Sequence, residues 1–154
     1  MLEETAKHAS QGKAERIQEL LNAARYHHNI AENEKKAIKI CGKILKEDSN
    51  NRDAMLIKAG ALEHVGKSEE SLRLINAIKE KWPDHWEAYY LLGLHFFNKD
   101  ETNAFEFLEK SLELNENFDN LLVTAQLAYF MGKQSYQDYL DKAEKLDPQR
   151  LRKH

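Results

Sequence analysis

Residues 86–96 run Trp86-Glu87-Ala88-Tyr89-Tyr90-Leu91-Leu92-Gly93-Leu94-His95-Phe96, with Ala104 and Leu108 following. Tyr89, Leu92, Gly93 and Phe96 recur at helical spacing, so the stretch reads as a helix with one stripe committed to a core. Gly93 is small where two helices of a hairpin would cross, and Ala104 allows a second helix to approach closely. About 34 residues earlier, Met55, Ala59 and Leu62 take the places of Tyr89, Gly93 and Phe96. Gly66-Lys67 then makes the turn, Ser71, Ile75 and Ile78 form the second stripe, and Pro83 stops the helix. Later in the chain Tyr129 stands under Phe96, with Leu122 and Ala125 as its partners, Gln126 at the small position, Gly132-Lys133 as the turn and Pro148 as the stop. The first unit is degenerate. Leu21, Ala24 and His28 precede Ala37, Cys41 and Ile44, with Arg25 at the small position and Ser49 where proline would stand.

An aromatic, a Leu-Gly pair, a second aromatic, an alanine, a bulky residue and a closing proline resemble the tetratricopeptide repeat (TPR). The resemblance implies an all-α fold, a right-handed superhelical array of antiparallel helix hairpins of the TPR-like α-solenoid kind. It divides the chain into an N-terminal segment (1–17), a degenerate repeat (18–51), two well-formed repeats (52–85 and 86–118), a shortened repeat (119–148) and a tail (149–154). The last long helix has one apolar stripe, Tyr136, Tyr139, Leu140, Ala143 and Leu146, opposite Gln137, Asp138, Asp141, Lys142, Glu144 and Lys145. A terminal helix needs only one buried face, so the array is expected to close near Pro148.

Composition agrees with helix: 42% of residues are hydrophobic, 32% are charged, and only two prolines interrupt the chain. A net charge of −3 supplies no positive field for a phosphate backbone or an acidic membrane surface, so neither nucleic acid nor membrane is expected as a partner. The lone Cys41 lies among Ile38, Ile40, Ile44 and Leu45 and reads as a small core hydrophobe. The start at Met1 carries no basic and apolar leader, and no long apolar run follows, which points to a soluble cytoplasmic chain.

No phosphate loop, nucleophile elbow or cysteine-histidine pair is present, so no enzyme and no cofactor are expected. His27 and His28 are adjacent and would point about 100° apart on a helix. None of His8, His64, His85, His95 or His154 stands four residues from another histidine. No metal site is expected from these spacings.

The TPR resemblance implies a groove lined by the first helix of each hairpin. With Tyr89, Leu92 and Phe96 assigned to the core, a second apolar stripe remains at Tyr90, Leu91, Leu94 and Phe97. Val123, Leu127, Phe130 and Met131 repeat it in the next unit, and Leu56 and Ile57 contribute in the unit before. These ten residues are the expected contact surface for an apolar peptide or helix of another protein, the chain acting as a scaffold or adaptor. The alternative is a self-assembling subunit, a homo-oligomer whose groove is filled by another copy or by residues 1–13. TPR proteins that grip acidic chaperone tails do so with a clamp of lysine, asparagine and arginine. The matching positions here hold Asn22, Tyr26, Ile57, Glu87 and Leu91, so that ligand is not expected.

Overall fold

Short polar side chains at Asn33, Asn51, Asp100 and Asn117 set the starts of the helices that follow them. The computed structural model describes residues 2–152, with side chains from residue 10 onward. Its described residues form helices and no strand: α1 (Leu2–Asn29), α2 (Glu34–Glu47), α3 (Arg52–His64), α4 (Ser68–Lys81), α5 (Trp86–Phe96), α6 (Glu101–Leu114), α7 (Phe118–Phe130), α8 (Tyr136–Leu146) and the short α9 (Pro148–Arg152). Asn33, Asn51, Asp100 and Asn117 accept the backbone N–H of Lys36, Ala54, Asn103 and Asn120, so each satisfies a donor that its helix cannot. Gly66 and Gly132 adopt φ of 84° and 72°. There the N–H groups of Lys67 and Lys133 reach back to the carbonyls of Leu62 and Ala128, closing α3 and α7 with the same motif. Both turns stand where the sequence places them.

Two compact units divide the chain between Leu74 and Ile75, inside α4. In the first, α1, α2 and α3 pack on one another around Leu21, Ala24, Ile40, Cys41, Ile44, Ala54 and Ile57. Residues 2–17 of the expected N-terminal segment lie within α1. Lys13 donates to the carbonyl of Glu47 and Arg16 pairs with the Glu47 carboxylate at 2.7 Å, tying that stretch to the end of α2. Met1 and residues 153–154, including His154, lie outside the described residues. Burial pushes the Cys41 thiol up to about 11, against the opposing charge of Lys58, as fits a core residue.

In the second unit α5 pairs with α6, α6 with α7, and α7 with α8. Gly93 is buried against α6, where a β-carbon would meet Leu108 at 2.5 Å. Polar groups are also buried: the Ser111 hydroxyl donates to the carbonyl of Trp86 and accepts from Nδ2 of Asn120, which also donates to the carbonyl of Asn115. The last hairpin departs from its expected register. α7 buries Leu121, Thr124, Ala125, Leu127 and Ala128, whereas Gln126 and Tyr129 are exposed. Ala125, not Gln126, is therefore the small residue that faces α8, and Tyr129 does not stand in the core place of Phe96. Thr124 takes the place of Leu92, a polar residue that hides its hydroxyl by donating to the Asn120 carbonyl.

Candidate functional site

The ten residues expected at the contact surface separate into three groups. Leu56, Ile57 and Leu127 lie inside the fold. Ile57 joins the core of the first unit, and Leu127 packs with Ala104, Phe105, Leu108 and Ala128. Reading Leu127 as an unpartnered groove residue is thus corrected: a helix in the middle of an array packs on its own hairpin and on the one before it, so two apolar faces can both be core. Tyr90, Phe97, Val123 and Met131 are half-buried around that same cluster, and Leu91 is half-buried too. Burial first, and then the charge of Asp119, push the Tyr90 hydroxyl up to about 12, so it stays protonated.

Leu94 and Phe130 remain open, 40% and 66% exposed. Phe130 meets the ring of Phe97 edge to face with centroids 6.2 Å apart, and Leu94 lies one helical turn before Phe97. On its other side Phe130 borders a cleft that spacing did not foresee, lined by Ala125, Gln126, Tyr129, Tyr136 and Leu140. Tyr129 is 62% exposed there, held edge to face against Tyr136 at 5.2 Å. Its signal in the sequence was hidden by the one-residue error in register, which assigned Tyr129 to the core.

α7 explains why the cleft lies open. Leu127 and Ala128 face α6, and Tyr129 lies about 160° round the helix from Leu127, on the side away from α6. The pairing of Gly93 with Ala104 and Leu108 recurs in the next hairpin as Ala125 with Tyr136 and Leu140. In the earlier hairpin, Ala104 and Leu108 also receive α7. At Tyr136 and Leu140 no described helix follows. α9 folds instead onto the opposite end of the hairpin, where Leu151 packs against Phe118, Leu121 and Ala143 while Arg150 pairs with Asp119 and covers the Phe118 ring.

In the first unit the histidines depart from their sequence reading. His28 and His64, with no helical spacing between them, come together with Glu34. His28 Nδ1 lies 2.7 Å from one carboxylate oxygen and His64 Nδ1 lies 3.2 Å from the other. The tertiary fold, not spacing along one helix, makes this cluster. Among the described residues no helix is long and apolar enough to cross a membrane.

A family model described as the N-terminal TPR repeats region of Psidin matches residues 26–146. The chain belongs to this family. Among solved structures, this Psidin-type TPR chain is similar to a thermophilic TPR protein, TTC0263 of Thermus thermophilus, at 15% identity and a TM-score of 0.75, covering 86% of this chain and 75% of that one. It is also similar to MamA (41-end) of Desulfovibrio magneticus RS-1, at 19% identity and a TM-score of 0.66, over 86% of this chain and 76% of that one. At these identities the likeness is one of fold. No curated protein matches the sequence. Membership of the Psidin-type TPR family agrees with the repeat read from Tyr89, Leu92, Gly93 and Phe96, and establishes the all-α helical-repeat fold.

Proposed function

We propose that the chain is a non-catalytic protein-interaction scaffold that holds an amphipathic helix of a partner protein on the open face of its last hairpin. The observation that carries this reading is the apolar cleft of Ala125, Tyr129, Phe130, Tyr136 and Leu140. Its Tyr136 and Leu140 repeat the positions at which α6 receives α7, and a surface built to that pattern suits a helix. The exposed Leu94 and the half-buried Phe97 extend the apolar surface past Phe130, with Tyr90, Val123 and Met131 packed on the cluster behind it and the half-buried Leu91 on the same helix as Leu94. Of the original ten residues, those seven on α5 and around the end of α7 remain proposed contacts. Each large apolar side chain that the partner covers fully contributes about 1.5–3 kcal/mol before ordering costs, and two or three aromatic anchors dominate surfaces of this kind.

Selection from a displayed library of helical peptides tests the proposal. Enriched sequences should carry apolar residues at i, i+3 or i+4, and i+7, and should lose binding to Leu94→Glu/Phe130→Glu and to Tyr129→Glu/Leu140→Glu. Both double variants change exposed or half-buried positions, so helicity should persist. Selected peptides that bind both variants as tightly as the parent would refute the site. Concentration-dependent dimerisation that is lost in the same variants would replace the foreign helix by a second copy of the chain.

A further inference from the structure

The first unit brings three metal-ligating side chains to one point. His28 lies in the last turn of α1, Glu34 opens α2 and His64 ends α3, and their ligand atoms all lie within 4.8 Å of one another. Each imidazole presents Nδ1 to a different oxygen of the Glu34 carboxylate. We infer that His28, Glu34 and His64 form a binding site for a divalent transition cation of the zinc class.

Three features favour a cation here. The first is the donor set: two imidazoles and one carboxylate suit Zn²⁺, and three protein ligands leave the fourth tetrahedral position for water. Tetrahedral bonds of about 2.0–2.1 Å place ligand atoms roughly 3.3 Å apart. The His64–Glu34 separation of 3.2 Å already matches that spacing, and rotation of the exposed His64 ring can bring the two imidazoles, within 4.8 Å, together; the His28–Glu34 pair at 2.7 Å must open by roughly 0.6 Å to admit the ion. The second is the field. The C-terminal turns of α1 and α3 both end at the site, and the negative ends of these two helix dipoles, set against the single positive end of α2 at Glu34, favour positive charge.

The third feature is how the site is built into the fold. Glu34 and His28 are largely buried, while His64 stands at the mouth of a cleft lined also by Asn29 and Glu32. Gly60 of α3 lies against the His28 ring, so that a β-carbon there would come within 3.0 Å of Nε2. The missing side chain lets the imidazole lie close on α3, beside the His64 ring at a centroid distance of 5.2 Å, with both rings turned to Glu34. Glu32, in the loop between α1 and α2, adopts φ of 48°, a left-handed conformation uncommon for a side-chain-bearing residue. A bound ion would join the first hairpin to the end of α3.

Titration of the untagged chain with Zn²⁺ alone, in competition with a chromogenic chelator, tests the site. One ion per chain is expected, with a melting temperature that climbs with free Zn²⁺. His64→Ala, which alters an exposed side chain, should weaken binding by more than the roughly 10- to 100-fold typical of losing a supporting partner. Glu34→Gln should do likewise, whereas His27→Ala and His85→Ala should leave affinity unchanged. Co²⁺ in place of Zn²⁺ should give a four-coordinate visible spectrum that His64→Ala abolishes. Absence of stoichiometric binding, or equal affinity in parent and His64→Ala, would overturn the assignment and leave Glu34 as a hydrogen-bond acceptor shared by two imidazoles.

Discussion

Leu108 fills the space that a β-carbon on Gly93 would need, its Cγ and Cδ2 each 2.5 Å from that position. Leu108 is itself fully buried against Leu127 and Ala128, so it has nowhere to retreat. Gly93→Ala should therefore destabilise the second unit. Overpacking costs about 1–3 kcal/mol, and the gain of about 1 kcal/mol from alanine's helix propensity offsets only part of it. Chemical denaturation would measure the difference. In a double-mutant cycle, Leu108→Ala should cost less in the Gly93→Ala background than in the parent, and additive losses would show that the two positions do not touch.

Ser111 links two buried polar partners. Ser111→Ala removes the hydroxyl donor to the Trp86 carbonyl and one of the two acceptors of the Asn120 amide, which keeps only its bond to the Asn115 carbonyl. A loss of about 1–3 kcal/mol is expected. A melting curve that superposes on the parent would mean that water satisfies both groups in the variant.

Leu127 and Phe130, three residues apart on α7, should respond in opposite ways to a charge. Leu127→Glu places a carboxylate in the core and should abolish cooperative unfolding, because a buried unpaired charge costs several kcal/mol. Phe130→Glu should change stability by about 0.5 kcal/mol or less, as at other exposed sites, while removing partner binding. Circular dichroism melts of the two variants separate core from contact surface, and equal destabilisation would contradict the register of α7.

Cys41 should be silent toward thiol reagents at neutral pH until the first unit unfolds. Its folded value of about 11 exceeds the ordinary 9.0, so the fold favours the neutral thiol. That contribution is fully present below about pH 9 and is lost as pH rises through about 11, at a slope near 1.4 kcal/mol per pH unit between the two. Stability of the parent and Cys41→Ala compared from pH 8 to pH 11 reads this slope, and parallel curves would count against it.

The repeat was legible because helical stripes, glycine turns and stopping prolines agreed with one another along the middle of the chain. Leu92 and Gly93, the glycine turns at Gly66 and Gly132, and the core role of Cys41 follow from local pattern, whereas Tyr89 and Phe96, read as core, are half-buried and Ala88 is the buried residue beside them. The last hairpin was read one residue out of step, since Tyr129 is a plausible aromatic for the core and Thr124 an implausible one. Burial of Thr124 depends on a hydrogen bond to Asn120 that no periodicity reveals. The assignment of Leu127 to a groove failed for another reason: hydrophobicity marks which faces must leave water, not which neighbour covers them. The His28, Glu34 and His64 cluster was invisible because its members meet only after three helix ends converge.

Throughout both units the principal packing is between helices adjacent in the chain: α1 with α2, α2 with α3, α5 with α6, α6 with α7 and α7 with α8. Little loop entropy must be spent before such contacts form, so this topology belongs to the fast-folding class, on the microsecond-to-millisecond scale. Any hairpin can serve as the nucleus, with neighbours adding in sequence order. During synthesis, α1 and α2 can close on Leu21, Ala24 and Ile44 as soon as they emerge, well before the exposed aromatics of α7 and α8 exist to associate with other chains.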